Sequence, residues 1–252
     1  YGKHTFDRVG FNTVPFNSGA MEHATNIAYP RYAIANGDKA SETLFAHELA
    51  HHWWGNTITC KTQEDMWLNE GWASYSERLF LEAVYGKKAY DDDIEANHHS
   101  VLQFVHVLDE AILPVSGIGH AHTYGRHVYD KGADMVHTLR GFMGDQSFFE
   151  ACQSFQSTYK FKDVTTQDMH THFQAYTSLD LTGFFEQWVK TPGFAHFDIL
   201  SVLNDDDVYQ LTIKQTPRFN QEIYTDVRLS IAAFAEGKRY DTSVIVSQSQ
   251  QL

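Results

Sequence analysis

Cysteine is scarce in this chain. The 252 residues hold two, Cys60 and Cys152, which excludes a disulfide scaffold and a cysteine-built zinc finger and leaves two separate, buried thiols as the plain reading. Proline is sparse as well, 5 residues beside 16 glycines; with 42% hydrophobic and 20% charged residues the composition is neither disordered nor collagenous. No apolar run approaches the roughly 18 residues that a membrane-spanning helix requires. Positive charge is in deficit: 19 Lys and Arg against 32 Asp and Glu give a net charge of −13. A chain this acidic repels phosphate backbones, so nucleic acid is not an expected partner. An initiator methionine and a cationic-then-apolar leader are also absent. The chain opens at Tyr1 and reads as an internal segment of something longer, which leaves its compartment unassigned.

Aromatic residues are plentiful, 18 Phe, 13 Tyr and 5 Trp, and favour a large packed core. Fifteen histidines make a metal the first thing to look for. The length fits one long domain or a domain with an appendage. Residues 1–40 are mixed, with short apolar pieces at 26–29 and 31–35. Residues 41–195 read as mostly helical. Ser41 is placed to cap a helix stopped by Gly55, and further helices are expected over 69–85 (stopped by Gly86), 90–113 (Pro114), 128–143 (Gly144), 165–176, and 181–190 before Pro192-Gly193. From His196 the period shortens toward two, and 208–215, 224–234 and 239–247 read as strands, with turns at 204–207 and 236–238. The end, 247–252, is polar and expected to fray. The expected fold is therefore mainly α: a helical region, 1–195, opened by a short β piece and followed by a small β module, 196–252.

The chemistry concentrates at His47-Glu48-Leu49-Ala50-His51, an H-E-x-x-H sequence. On a helix, positions four apart share a face, so both imidazoles reach one metal ion, and Glu48 flanks that ion without binding it. Such a site suits Zn²⁺, which catalytic centres hold with three protein ligands and an open position for water. A third ligand is offered by Glu70, 19 positions after His51 (70 − 51), in Asn69-Glu70-Gly71-Trp72-Ala73. That gap lets one helix end, turn and start a second running back. This H-E-x-x-H…E arrangement in its N-E-G-x-A context resembles the gluzincin zinc metallopeptidases.

Two further motifs narrow the resemblance. Gly19-Ala20-Met21-Glu22-His23 is similar to the G-x-M-E-N element of aminopeptidase N-like enzymes, and Tyr129-Asp130-Lys131-Gly132-Ala133 to their Y-x-K-G-A helix start. The resemblance covers most of the chain and implies a thermolysin-like helical catalytic domain, with the β module as part of a sandwich. It implies one zinc ion on His47, His51 and Glu70, with Glu48 as general base and Tyr129 as donor to the oxyanion; Tyr124 is the rival for that last role. It implies further that Gly19, Ala20, Met21 and Glu22 form an edge strand along the substrate, and that Glu22 binds the free α-amino group of a peptide. The departure is His23, where the family's commonest residue is Asn, which bears on the hydrogen bonding around the first substrate pocket. Met21 and nearby aromatics suggest that this pocket is apolar. The family's N-terminal β domain is expected to belong to the parent protein and to precede this stretch. Two other readings are a zinc-stabilised peptide-binding module and a gluzincin endopeptidase that ignores Glu22.

The remaining histidines read as structural. His52 faces away from the His47–His51 face. His98, His99, His106, His120, His122 and His127 form a loose tract in which His120, His122 and His127 are placed to line the cleft. Lys131 and Gly132 read as helix-start and close-packing residues. Asp91-Asp92-Asp93 and Asp205-Asp206-Asp207 read as a solvated helix start and a turn, since neither has calcium-loop spacing.

Overall fold

The computed structural model describes residues 1–35, 41–205 and 208–246. Asp206 and Asp207 of the expected turn, and the polar end 247–252, lie outside these residues. Strand β1 (Gly10–Val14) pairs in parallel with β2 (Asn26–Pro30), which runs into a short helix, α1 (Arg31–Ala35). On the opposite edge of β2, Met21 and Ala28 exchange both backbone hydrogen bonds at 2.9 Å, so the Gly19–Glu22 segment lies along β2. Helix α2 (Glu42–Ala50) follows. Ser41 sits at its start with a near-helical backbone and makes no side-chain cap bond, contrary to expectation. The chain then turns tightly to Gly55, whose φ of 142° lies in the region that favours glycine.

Strand β3 (Ile58–Cys60) leads through a 3₁₀ stretch (Gln63–Leu68) into α3 (Glu70–Tyr85), which stops at Gly86 as expected. The expected helix 90–113 is shorter and broken. It begins earlier, as α4 (Lys87–Gln103), and Phe104 leaves helical geometry before a single turn, α5 (Val105–Leu108). The opening turns of α4 are held by Lys87–Asp91 and Lys88–Asp92 pairs, while Asp93 turns inward to Arg78 at 2.7 Å. A π turn (His127–Lys131) enters α6 (Gly132–Met143), and Gly144 ends it. Helix α7 (Asp145–Thr158) was not anticipated. Strand β4 (Lys162–Val164) pairs in parallel with β3, and α8 (Thr166–Gln174) starts with a complete Thr165/Asp168 capping box. A second π turn (Phe184–Val189) precedes two antiparallel hairpins, β5 (Phe194–Asp205) with β6 (Val208–Arg218), and β7 (Val227–Ala235) with β8 (Lys238–Val246). Among the described residues the fold is thus mixed, helical with four two-stranded sheets. Among the described residues no helix is long and apolar enough to cross a membrane.

The aromatic residues do what their number suggested. Trp54 and Trp72 stack at 4.0 Å, Trp72 continues onto Phe148 at 5.7 Å, and Phe155 and Phe173 close the cluster, all fully buried. This core lies directly under the turn that follows α2 and the first turns of α3. Both cysteines are free, and Cys152 is buried in the same core. At the crossing of α3 and α6 the backbones touch: a Cβ on Gly132 would lie 2.9 Å from the Gly71 Cα. Only two glycines permit that approach, and it sets the start of α3 against the π turn that carries Tyr129.

Candidate metal centre

Helix α2 places His47 and His51 one turn apart, both buried. Glu70 is the first residue of α3, where the helix dipole favours a carboxylate. The start of α3 is tied to β3 through Asn69, whose side-chain oxygen accepts from the Cys60 N–H at 2.9 Å and whose amide donates to Thr59 at 3.1 Å. The result brings three ligating groups together. Glu70 Oε2 lies 3.3 Å from His47 Nε2 and 3.3 Å from His51 Nε2.

These separations are informative. Charge-assisted hydrogen bonds close to about 2.7–2.9 Å. Ligands about 2.0–2.1 Å from a tetrahedral ion stand about 3.3 Å apart. The far nitrogens of both rings are engaged: His47 Nδ1 donates to Glu77 Oε1 at 2.9 Å and His51 Nδ1 to the Trp54 carbonyl at 2.8 Å. Those bonds fix ring orientation and turn Nε2 of each imidazole toward Glu70, the outer support that metal-ligating histidines need. Burial works against charge on all three groups, and the mutual bonds overcome it. His47 is lifted to about 10 by Glu70 and Glu77, His51 is also raised, and Glu70 is held at about 2. The cluster is thus built to stabilise positive charge between the rings, and its donor set fits a zinc ion.

Glu48 is 4% exposed, and its Oε2 has no hydrogen-bond partner among the described residues. Burial pushes its pKa up to about 7, against the opposing pull of His47 and His51. Glu22, Glu48 and His51 also bring ligating atoms within 4.8 Å of one another, as do His47, His51 and Glu70. Tyr129 stacks over His47, with centroids 6.0 Å apart and planes at 15°. Burial, followed by the charge of Glu70, raises its hydroxyl well above the usual phenol range, so it stays protonated and able to donate.

These groups line a cleft of about 320 Å³ together with Gly19, Ala20 and Glu22. Met21 does not line it. The alternation of an extended segment sends its side chain outward, where it is 39% exposed, while its backbone bonds β2. Tyr124 is 71% exposed and lies outside the cleft lining, which separates it from Tyr129. His23 is exposed.

His120, His122 and His127 do not line this cleft either. His120 meets Gln63 at 2.7 Å, and His127 is buried against Asp109 at 2.6 Å, accepting from the Leu113 N–H through its other nitrogen. His52 accepts from the Thr25 N–H and stacks on His4, a packing role. Lys131 is buried, donates to the Leu113 carbonyl at 3.3 Å, and is lowered by burial to about 8. Sequence reasoning missed Glu77, the Trp54 carbonyl and Asn69. Glu77 carried a usable signal: it follows Glu70 by seven residues, two turns along the same face of α3.

Two imidazoles and a carboxylate thus line an open cleft beside a buried carboxylate with a free oxygen, and together they could hold one metal ion. The sequence matches the Peptidase family M1 domain over residues 3–188, and the chain belongs to that family. It is 28% identical over 231 residues to human glutamyl aminopeptidase, covering 81% of this chain and 22% of that protein. Against aminopeptidase N of Lactococcus lactis subsp. lactis it is 25% identical over 219 residues, 79% of this chain and 25% of the relative. The chain thus spans about a quarter or less of these curated relatives. Its fold is similar to the M1 zinc metallopeptidase from Deinococcus radiodurans, with a TM-score of 0.67 at 23% identity over 77% of this chain and 41% of the other.

Proposed function

We propose that this chain carries the catalytic centre of a zinc-dependent aminopeptidase that removes the first residue from peptides with a free amino terminus. The observation that carries the reading is the pair of 3.3 Å separations around Glu70 Oε2, with the outer nitrogens of both histidines engaged. One zinc ion, held by His47, His51 and Glu70, would supply Lewis acidity and an acidified water. The chain's own groups do the rest. Glu48, poised near neutrality and with an open oxygen, accepts the proton of the attacking water and returns it to the departing amine. The Tyr129 hydroxyl donates to the oxygen that gains charge at the cleaved carbonyl. Glu22 accepts hydrogen bonds from the substrate ammonium, which an internal peptide residue lacks, and the Gly19–Glu22 backbone runs beside the substrate.

In this reading residues 1–195 are a thermolysin-like catalytic unit, and 196–252 belong to a β module of partial sandwich type. Hydrolysis of L-leucine arylamide by the zinc-loaded chain, set beside its N-acetylated counterpart, tests the proposal. Turnover of the free amine alone supports it. Preferential cleavage of internal bonds in blocked peptides points to an endopeptidase, and tight peptide binding without turnover points to a binding module.

A further inference from the structure

A second cavity, of about 360 Å³, lies between α4, α6 and the strands β5 and β7, and shares no lining residue with the metal cleft. Its walls are largely apolar: Val101 and Leu102 of α4, Met135 and Phe142 of α6, Phe197 of β5 and Leu229 of β7. Two buried side chains of opposite charge also line it, Lys131 and Asp134, three positions apart where the π turn enters α6. They make no ion pair with each other. Lys131 Nζ has three protons to give. Among the described residues it makes one hydrogen bond, to the Leu113 carbonyl at 3.3 Å, which is long for an ammonium. Asp134 accepts from His98 at 3.0 Å through Oδ2, and its Oδ1 has no hydrogen-bond partner among the described residues. Trp188 adds a third unmet group: its indole Nε1–H is buried without an acceptor. Two other polar groups on the wall are engaged, Arg228 with the Phe142 carbonyl at 3.0 Å and His196 with Asp198 at 2.9 Å.

Buried polar groups normally find partners, and opposite charges held apart inside a fold leave the cost of their desolvation uncompensated. One kind of ligand satisfies all three groups. An ammonium suits Asp134 Oδ1, a carboxylate suits Lys131 and the indole N–H, and an apolar side chain suits the walls. We propose that this cavity binds a free α-amino acid with a large apolar side chain. A ligand with a carboxylate alone would set like charge against Asp134, and one with an amine alone would do the same to Lys131. The size of the cavity falls within the range of small-molecule sites. The inference goes beyond the aminopeptidase reading and does not depend on it.

Crystals of the zinc-loaded chain soaked with 4-bromo-L-phenylalanine test it, because anomalous scattering at the bromine edge reports where the ligand sits. A bromine peak among Val101, Phe142 and Phe197 is expected. The α-amide of the same compound, which lacks the carboxylate, and 3-(4-bromophenyl)propionate, which lacks the ammonium, should fill that position weakly or not at all. A peak at the metal cleft alone, no peak, or equal cavity peaks from all three compounds overturns the inference and leaves the aminopeptidase reading standing. Calorimetry with L-phenylalanine on a Glu22→Ala background, which weakens binding at the cleft, gives a second readout. Adding Lys131→Met, or the milder Asp134→Asn, should weaken the affinity about tenfold or more, the effect of losing a hydrogen bond to a charged group, with circular dichroism confirming the fold. Affinities within twofold of that background in both variants also overturn the inference.

Discussion

Glu77→Gln is the perturbation that asks most of the site's construction. Glu77 touches no proposed substrate atom; it accepts the His47 Nδ1 proton at 2.9 Å from the second turn of α3. Glutamine keeps the length and volume but removes the charge, and its amide can present N–H groups to the ring instead of an acceptor. Loss of such an outer partner costs about 10–100-fold in metal affinity, or about 1.4–2.8 kcal/mol. His51 offers an internal contrast, because its outer partner is the Trp54 carbonyl, a backbone atom no substitution removes. The assay is competition for zinc between the protein and a chromophoric chelator at pH 7.5, with far-ultraviolet circular dichroism to confirm that the helices remain. The expected result is a weaker zinc Kd within that range, with folding intact and turnover per bound zinc lowered far less than affinity. A Kd within twofold of the parent's would refute the claim that Glu77 orients His47 for a metal.

Other consequences are equally direct. Tyr129→Phe should retain zinc and lose about 10²–10³-fold in kcat, the size of a lost oxyanion donor; single-turnover rates on an arylamide check this. Glu48 is raised from the ordinary carboxylate range to about 7, so between about 4.5 and 7 the folded chain binds more protons than the unfolded chain, and stability falls as pH rises through that window. In chelator-treated protein the Tm advantage of Glu48→Gln over the parent should therefore be larger at pH 8 than at pH 5; an advantage independent of pH contradicts the assignment. Gly132→Ala pushes a methyl to 2.9 Å from the Gly71 Cα. It should cost about 1–3 kcal/mol and lower Tm by several degrees, with kcat reduced because Glu70 and Tyr129 flank the contact.

Much of this was legible in the residues because the helices are punctuated. Gly86 and Gly144 stop α3 and α6 with positive φ, and Thr165 with Asp168 announces α8. The convergence of His47, His51 and Glu70 was legible because a spacing of four on a helix and a glutamate at the next helix start are local signals. What failed needed tertiary context. Helix α7 carries Phe148, Ala151, Cys152 and Phe155 on its buried face, but polar residues interleave with them, and only the Trp72–Phe173 cluster shows why they turn inward. The break at Phe104 has no glycine or proline to signal it. Gly19, Ala20 and Glu22 of the motif around Met21 line the cleft, while the Met21 backbone pairs with Ala28 and its side chain is exposed. Glu77 was overlooked for a different reason: its partner, the outer nitrogen of His47, becomes visible only once the ring is placed.

The claim on which the account turns is that Nε2 of His47, Nε2 of His51 and a Glu70 oxygen surround one zinc ion. Anomalous diffraction from zinc-soaked crystals, collected on both sides of the zinc edge, tests it most directly. The account predicts a single strong peak within about 2.0–2.2 Å of all three atoms, with a further position open toward the cleft. No peak there, or a peak held by Glu22 and Glu48 instead, would contradict it.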